Sequence, residues 1–355
     1  KVMCREIQMG VAAAQRALAS ANLRSGEYDP DQTGVMYGSD YILTVPGEFS
    51  DAISHCLNDD HTFDFSRWAE DGLPRVTPLW LLKYLPNMPA SHVAIYNDLR
   101  GPNNSITMRE ASANLAVGEA YCAIARGRAD VIIAGATGTR VHPMRTIHVA
   151  LQEQLVGKVE NPASASRPFD RNRSGMVVGE GAAAVILEDL ENAQRRGVPI
   201  LGEVIGHASS TVMDRQGVGH RNVAVANVVK QACRHAGLEP DAIGHVHAHG
   251  LATTQGDVDE ARGLNEVFQE LPPVVAAKSY FGNLGAGSGM VELIASTLAL
   301  QHGKLFPILN YEEPDPECPI NAVTSSGVTA GETFINVNIT PQGQASAILV
   351  RRWDG

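Results

Sequence analysis

Apolar residues recur along this chain with two different periods, and the switches between them lay out its elements. Met3, Ile7, Val11, Ala14 and Leu18 fall at helical spacing and predict an amphipathic helix over residues 3–22. Short apolar runs predict strands at 34–39, 105–107, 131–135, 182–187, 200–210, 245–249, 274–278, 333–338 and 346–351. Between them the pattern predicts a short helix ending over 192–196, a helix at 222–236 closed by Gly237, and another at 258–269. Residues 142–166 read as a loop. Residues 40–90 are rich in Pro, Asp and aromatic side chains, with short helical pieces at 49–57 and 79–85. A long irregular insertion of this kind often covers a site or an interface.

Two helices, 111–125 and 286–301, are built from small and apolar residues on nearly every side. A helix without a polar face is usually buried at the centre of a protein. Each sits in one half of the chain, where strands alternate with helices. The chain therefore reads as α/β with two related halves, divided as 1–190 and 191–355. The second half opens on a strand and the first on a helix. The opening strand of the first half is therefore expected to be missing, with the sequence beginning inside a longer chain.

The first buried helix opens at Glu110, directly after the strand at 105–107 and a sharp turn. An acidic first-turn residue stabilises a helix end. The same place, with its backbone N–H groups and dipole, also suits an anion or a reactive group.

Composition narrows the function. A hydrophobic fraction of 44% over 355 residues supports a large core. The formal net charge of -11 argues against a general nucleic-acid or anionic-membrane surface. The five cysteines are scattered without CxxC spacing, which fits a reduced cytoplasmic protein with neither a disulfide framework nor a zinc site. Cys122 lies inside the buried helix and reads as packing. There is no signal-peptide pattern and no transmembrane run.

His245, His247 and His249 alternate, so on a strand they share one face. Three imidazoles can ligate zinc, but the ligand set is incomplete and the run ends in Gly250. Gly179, Gly181 and Ala184 superficially fit a dinucleotide pattern. An apolar strand follows them where that pattern needs a helix, so the reading fails.

Gly101-Pro102, then a strand, a turn and a small-residue helix, resembles the nucleophile segment of the β-ketoacyl-ACP synthases, the condensing enzymes of the thiolase superfamily. The resemblance extends over essentially the whole chain. Arg167-Pro168-Phe169-Asp170 and 175–182 match a long family signature. The segment 248–257 is similar to that bearing the first catalytic His, which makes His249 the counterpart, with Thr253, Gly256, Asp257 and Glu260 at matching positions and Leu251 where the family usually has Thr. The segment 278–286 is similar to that bearing the family Lys and second catalytic His. Lys278 and Glu292 match, and the His position is Asn283. Taken without the family, His249 is equally a strand-end histidine bonded to a loop, and Asn283 a polar turn residue.

The resemblance implies a thiolase-like five-layer α/β/α/β/α fold with two pseudo-symmetric halves. It places Glu110 where the family has its nucleophilic Cys, and Thr340, in 339–342, where the family has a gating Phe in a Gly-rich loop. Without the family, 339–342 is an ordinary turn between the two closing strands. Condensation needs a thiolate that accepts an acyl group and releases it to a carbanion, and a carboxylate replaces it poorly. The implied function is a ketosynthase homologue of fatty acid or polyketide biosynthesis, condensation-deficient and similar to chain-length factors. The alternative is an enzyme with acyl-ACP or malonyl-ACP chemistry, a decarboxylase or an atypical 3-oxoacyl-ACP synthase. The implied partners are acyl carrier protein, met at a locally basic patch, and either a second copy or an intact ketosynthase across the strand at 105–107. No cofactor or metal is expected, nor a nucleic-acid or membrane partner. Glu110 is expected to be ionised and paired with a protonated His249.

Overall fold

Two mixed sheets carry the fold, and two buried helices lie between them. The structure is a computed structural model describing residues 2–24 and 26–354. The first half runs α1 (Arg5–Ser20), β1 (Thr33–Ser39), α2 (Ser50–Ser54), α3 (Met88–Asn97), β2 (Asn103–Ile106), α4 (Ser112–Ala125), β3 (Val131–Thr139), α5 (Pro143–Gln152) and β4 (Glu180–Glu188), and α6 (Leu190–Arg196) lies at the junction. The second runs β5 (Glu203–Thr211), α7 (Arg221–Ala236), β6 (His245–His247), α8 (Thr254–Asn265), β7 (Val274–Val275), α9 (Lys278–Phe281), α10 (Ser288–His302), β8 (Thr333–Ile339) and β9 (Gln344–Arg351).

The first sheet has the order β2-β1-β3-β4, parallel except for β4. The second has the order β5-β9-β8-β6-β7, with β9 antiparallel to both neighbours. β1, β3 and β8 are buried along their whole length, as strands covered on both faces must be. Helices α4 and α10 fill the space between the sheets, α1 and α3 cover the outside of the first, and α7, flanked by α8, covers the second. This is the five-layer α/β/α/β/α order. The central layer is lined by Ala113, Ala116 and Ala120 of α4 and by Met290 and Leu293 of α10. Small residues are required there: a Cβ on Gly289 would stand 3.0 Å from the Ala113 methyl and collide with Asn338.

Both central helices start later than the sequence pattern predicts. Each is preceded by one 3-10 turn, Arg109–Ala111 before α4 and Gly285–Gly287 before α10. Residues 143–152 are a helix, not part of a loop. Its Met144, Ile147 and Leu151 face outward while Arg145 is buried, which disguises the usual pattern, although Pro143 suits a first helical position. Lys278 opens the short helix α9 and does not end a strand. Helix α8 covers Thr254–Asn265 where the pattern predicts 258–269, because its polar first turn leaves no apolar spacing to mark the start. The outer edge of β4 borders a groove of about 720 Å³ lined by β4, α4, α10 and the start of β5. Among the described residues, no helix is long and apolar enough to cross a membrane.

Candidate active site

The carboxyl ends of β1 and β3 converge on the starts of α4 and α10. Glu110 lies in the turn before α4, fully buried. Its Oε1 accepts from Arg140 Nη2 at 2.6 Å and from Asn283 Nδ2 at 3.1 Å. Its Oε2 lies 3.5 Å from Arg109 Nε. Burial alone would raise this carboxyl. Arg140, then Arg109, outweighs burial and holds it well below the usual range.

Arg140 follows β3 directly and is also fully buried. It lies 3.5 Å from Asp40, which pairs with Arg145 at 3.2 Å, and Arg145 reaches Glu6 at 3.0 Å. On the other side Arg109 pairs with Glu153. A continuous buried chain of charge thus runs Glu153–Arg109–Glu110–Arg140–Asp40–Arg145–Glu6. Burial pushes Glu6 up to about 7, and burial followed by Glu110 raises Glu153. Both shifts move a chain of four carboxyls and three guanidinium groups toward neutrality.

Asn283 is fixed by its other atoms. Its Oδ1 accepts from Gly285 N at 2.9 Å and from Ser288 Oγ at 3.3 Å, which turns its NH₂ toward Glu110 and Met176. The amide therefore acts as a donor aimed at the carboxylate.

His249 and Glu110 do not form the expected pair. Among the described residues they share no hydrogen bond, and Lys278 Nζ stands 3.1 Å from His249 Nδ1. Burial, then the Lys278 charge, pushes the imidazole well below its ordinary value, so it is neutral. Lys278 also donates to the His249 carbonyl at 2.7 Å and pairs with Glu292. Glu292 in turn accepts from Asn338 Nδ2 at 2.7 Å. With Lys278 donating to Nδ1, the His249 proton sits on Nε2.

The loop carrying His249 is held by carboxyls below it. Glu260 accepts from the His249 and Gly250 N–H groups at 2.6 and 2.8 Å. Asp257 accepts from Leu251 and Phe169 at 3.1 and 2.7 Å. Burial pushes Glu260 up to about 8 and Asp257 to about 6. Beside them lies a cavity of about 170 Å³, lined among others by Glu153, Arg221, His249, Thr253, Glu260 and Thr340. Thr253 precedes α8. Thr340 is fully buried, with its N–H on Gln344 O at 2.8 Å and its hydroxyl on Gln344 Oε1 at 3.1 Å. One glycine does survive in that turn: Gly343, at φ +81°, donates to Thr340 O.

The other two histidines form a closed relay. Ala277 N donates to His247 Nε2, so His247 Nδ1 donates to Ser296 Oγ at 2.8 Å. Ser296 can then donate to His245 Nε2 at 3.0 Å, and His245 Nδ1 donates to Ala330 O. Every ring nitrogen is occupied, and burial lowers both imidazoles. Among the described residues no group of three or more His, Cys, Asp or Glu is arranged to hold a metal. Cys122 is only half-buried and lies 3.4 Å from His207 Nε2, so it is more than core packing.

The β-ketoacyl synthase N-terminal domain model matches residues 1–193, and the C-terminal domain model matches residues 201–312. The chain belongs to the β-ketoacyl synthase family. The 3-oxoacyl-[acyl-carrier-protein] synthase 2 of Synechocystis is 31% identical, over 91% of this chain and 75% of that protein. The protein of the same name from Staphylococcus aureus is 29% identical, over 98% of this chain and 84% of its own length. Among solved ketosynthases, one comes from a type II polyketide complex of acyl-carrier protein with its ketosynthase bound to the hexaketide. It superposes with TM-score 0.88 at 25% identity, over 100% of this chain and 86% of its own. The ishigamide ketosynthase/chain length factor matches in fold, with TM-score 0.84 at 23% identity, over 99% of this chain and 83% of its own. The α/β/α/β/α architecture, the two-halved sheets and the link to fatty acid and polyketide synthesis follow from this membership.

The structure brings the sequence-named Glu110, Asn283, His249, Lys278, Glu260 and Glu292 into one neighbourhood and puts Thr253 and Thr340 on the cavity wall. The sequence reading missed Arg140, Arg109, Asp40 and Glu153. A charged residue directly after a buried apolar strand was the available signal for Arg140, because the carboxyl ends of parallel strands are where such sheets place their sites.

Proposed function

We propose that this chain is a condensation-deficient ketosynthase homologue that works as the chain-length-factor-like partner of an intact ketosynthase, in contact with acyl carrier protein in the cytoplasm. The carrying observation is the state of Glu110. A buried carboxylate clamped by Arg140 and Asn283 occupies the turn where the family resemblance puts the thiol. Such a group is stabilised as an anion and is a poor acyl acceptor. The exposed apolar residues Leu79 and Leu81 of the 40–90 insertion, and Ile95 and Tyr96 of α3, which packs on the edge strand β2, suit a subunit interface. Residues 1–190 and 191–355 are read as its two halves.

The neutral His249, with Lys278 and Glu292 beside it, favours a second reading: malonyl-ACP decarboxylation without condensation. In that reading His249 Nε2–H and Asn283 would stabilise the developing oxyanion.

The deciding experiment is co-expression with an intact ketosynthase, followed by size measurement and intact-mass analysis after incubation with acyl-ACP. A heterodimer in which only the partner is acylated is expected. A stoichiometric adduct on this chain at Glu110, or a clean monomer at micromolar concentration, would overturn the proposal. Malonyl-ACP turnover by the parent that collapses in Glu110→Gln would make Glu110 catalytic and favour the second reading.

A further inference from the structure

We infer that Arg109 is a docking point for a ligand carboxylate, and that Glu153 fills that point from within the chain when the cavity is empty. Arg109 holds a left-handed backbone, φ +52°, which L side chains adopt at some expense. The matching position in the other half, Gly285, has φ +64° and no side chain to strain. An arginine at such a place calls for a use of its guanidinium.

That guanidinium lies behind the cavity wall and reaches it through one partner. It is paired with Glu153, and Glu153 lines the cavity together with His249 and Thr253. Three features make Glu153 a replaceable occupant. It follows the last residue of α5, so its charge sits at the negative end of that helix. Its Oε2 is buried without a hydrogen-bond partner. Burial and the neighbouring Glu110 both act against its charge. An entering carboxylate would take over the bond to Arg109, and Glu153 would swing out to water. The number of charges at Arg109 is unchanged by the exchange, so it carries no new electrostatic penalty. The fork of an arginine matches the two oxygens of any such group. Arg140 is unsuited to the role: it is fully buried between Glu110 and Asp40, whereas Arg109 meets Glu110 only at 3.5 Å and is paired with a residue, Glu153, that lines the cavity.

The inference concerns binding alone and holds under either functional reading. Propionate and its neutral isostere propionamide are titrated calorimetrically into the full chain. Removing the internal competitor with Glu153→Gln should tighten propionate by at least about tenfold, a change of about 1.4 kcal/mol, and leave propionamide unchanged. Adding Arg109→Gly to that variant should abolish the gain, and glycine is the residue that Gly285 shows to be tolerated in this backbone. Glu153→Ala serves as a second opening variant, with melts to verify folding. Three results would overturn the inference: parental propionate affinity in both Glu153 variants, an equal gain for propionamide, or full retention of the gain in the double variant.

Discussion

The turns before α4 and α10 are built on one backbone plan and filled in opposite ways. In each, a residue with positive φ opens a 3-10 turn, Arg109 in the first half and Gly285 in the second. In each, the first serine of the helix accepts from the N–H four residues earlier: Ser112 from Met108 at 2.7 Å, and Ser288 from Leu284 at 2.9 Å. The second half completes the plan with Ala286 and Gly287. The first completes it with Glu110 and Ala111, and so introduces a buried carboxylate and the arginines that neutralise it. The shared backbone belongs to the fold, while the charges in the first half are additions that the fold does not require. They are therefore where this chain's particular function is to be sought.

The sharpest way to break the comparison is to remove the main cation. Arg140→Leu leaves the buried Glu110 and Asp40 short of positive charge. It should cost about 3–5 kcal/mol, measured by urea denaturation. Making the first turn resemble the second, with Glu110→Ala added, should recover a large part of that loss through a coupling visible in a double-mutant cycle. Additive losses would mean that the two charges do not depend on one another.

The next test runs in the other direction, by putting a side chain where the second half has none. In Gly285→Ala the new Cβ would run into Asp40 Oδ2 and Arg140 Nε, in a backbone region hostile to alanine. A loss of about 2–4 kcal/mol is expected from strain and overpacking together. A mild effect would show that the two turns are interchangeable after all.

These two residues also show what the chain made legible. The strand–turn–helix at Glu110 and the segments around His249 and Lys278 were readable because local order fixes them. The partner of Glu110 was not. His249 carries a family motif and sits close by, yet Arg140, thirty positions along the chain from Glu110, wins because a guanidinium keeps its charge when buried and an imidazole gives it up. Lys278 settles the matter by placing a second positive charge against the His249 ring. Helix α5 was missed altogether for a related reason: its buried face is carried by Arg145 and Val149, so the inward stripe is partly charged. Tertiary charge pairing of this kind leaves no periodic trace.

Two carboxyls, Glu110 in the first half and Glu260 in the second, should also respond oppositely to pH. Glu110 has a folded value below its unfolded value of about 4.3. Its stabilisation is present above about pH 4.3 and is lost as pH falls toward the folded value. Glu260, raised by burial to about 8, contributes stability that is complete below about pH 4.3 and is lost as pH rises through about 8. Urea midpoints should therefore drop toward both ends of that range. Glu260→Gln should flatten the alkaline side only, and Glu110→Gln the acid side only. Equal flattening of both sides by one variant would show the two carboxyls to be coupled across the site.

The smallest expected effect isolates the strain at Arg109. Arg109→Ala and Arg109→Gly lose the same ion pairs with Glu110 and Glu153, so their difference excludes electrostatics. Only the alanine variant still carries a Cβ in the left-handed region at φ +52°. The glycine variant should be the more stable by about 1 kcal/mol, the usual penalty for an L side chain there, less the entropy that glycine loses on folding. If the two variants melt together, the turn before α4 carries no strain, and its likeness to the Gly285 turn is one of shape alone. If glycine wins by the expected margin, the first half spends stability on an arginine that its counterpart does without, and the reason must lie in what that guanidinium binds.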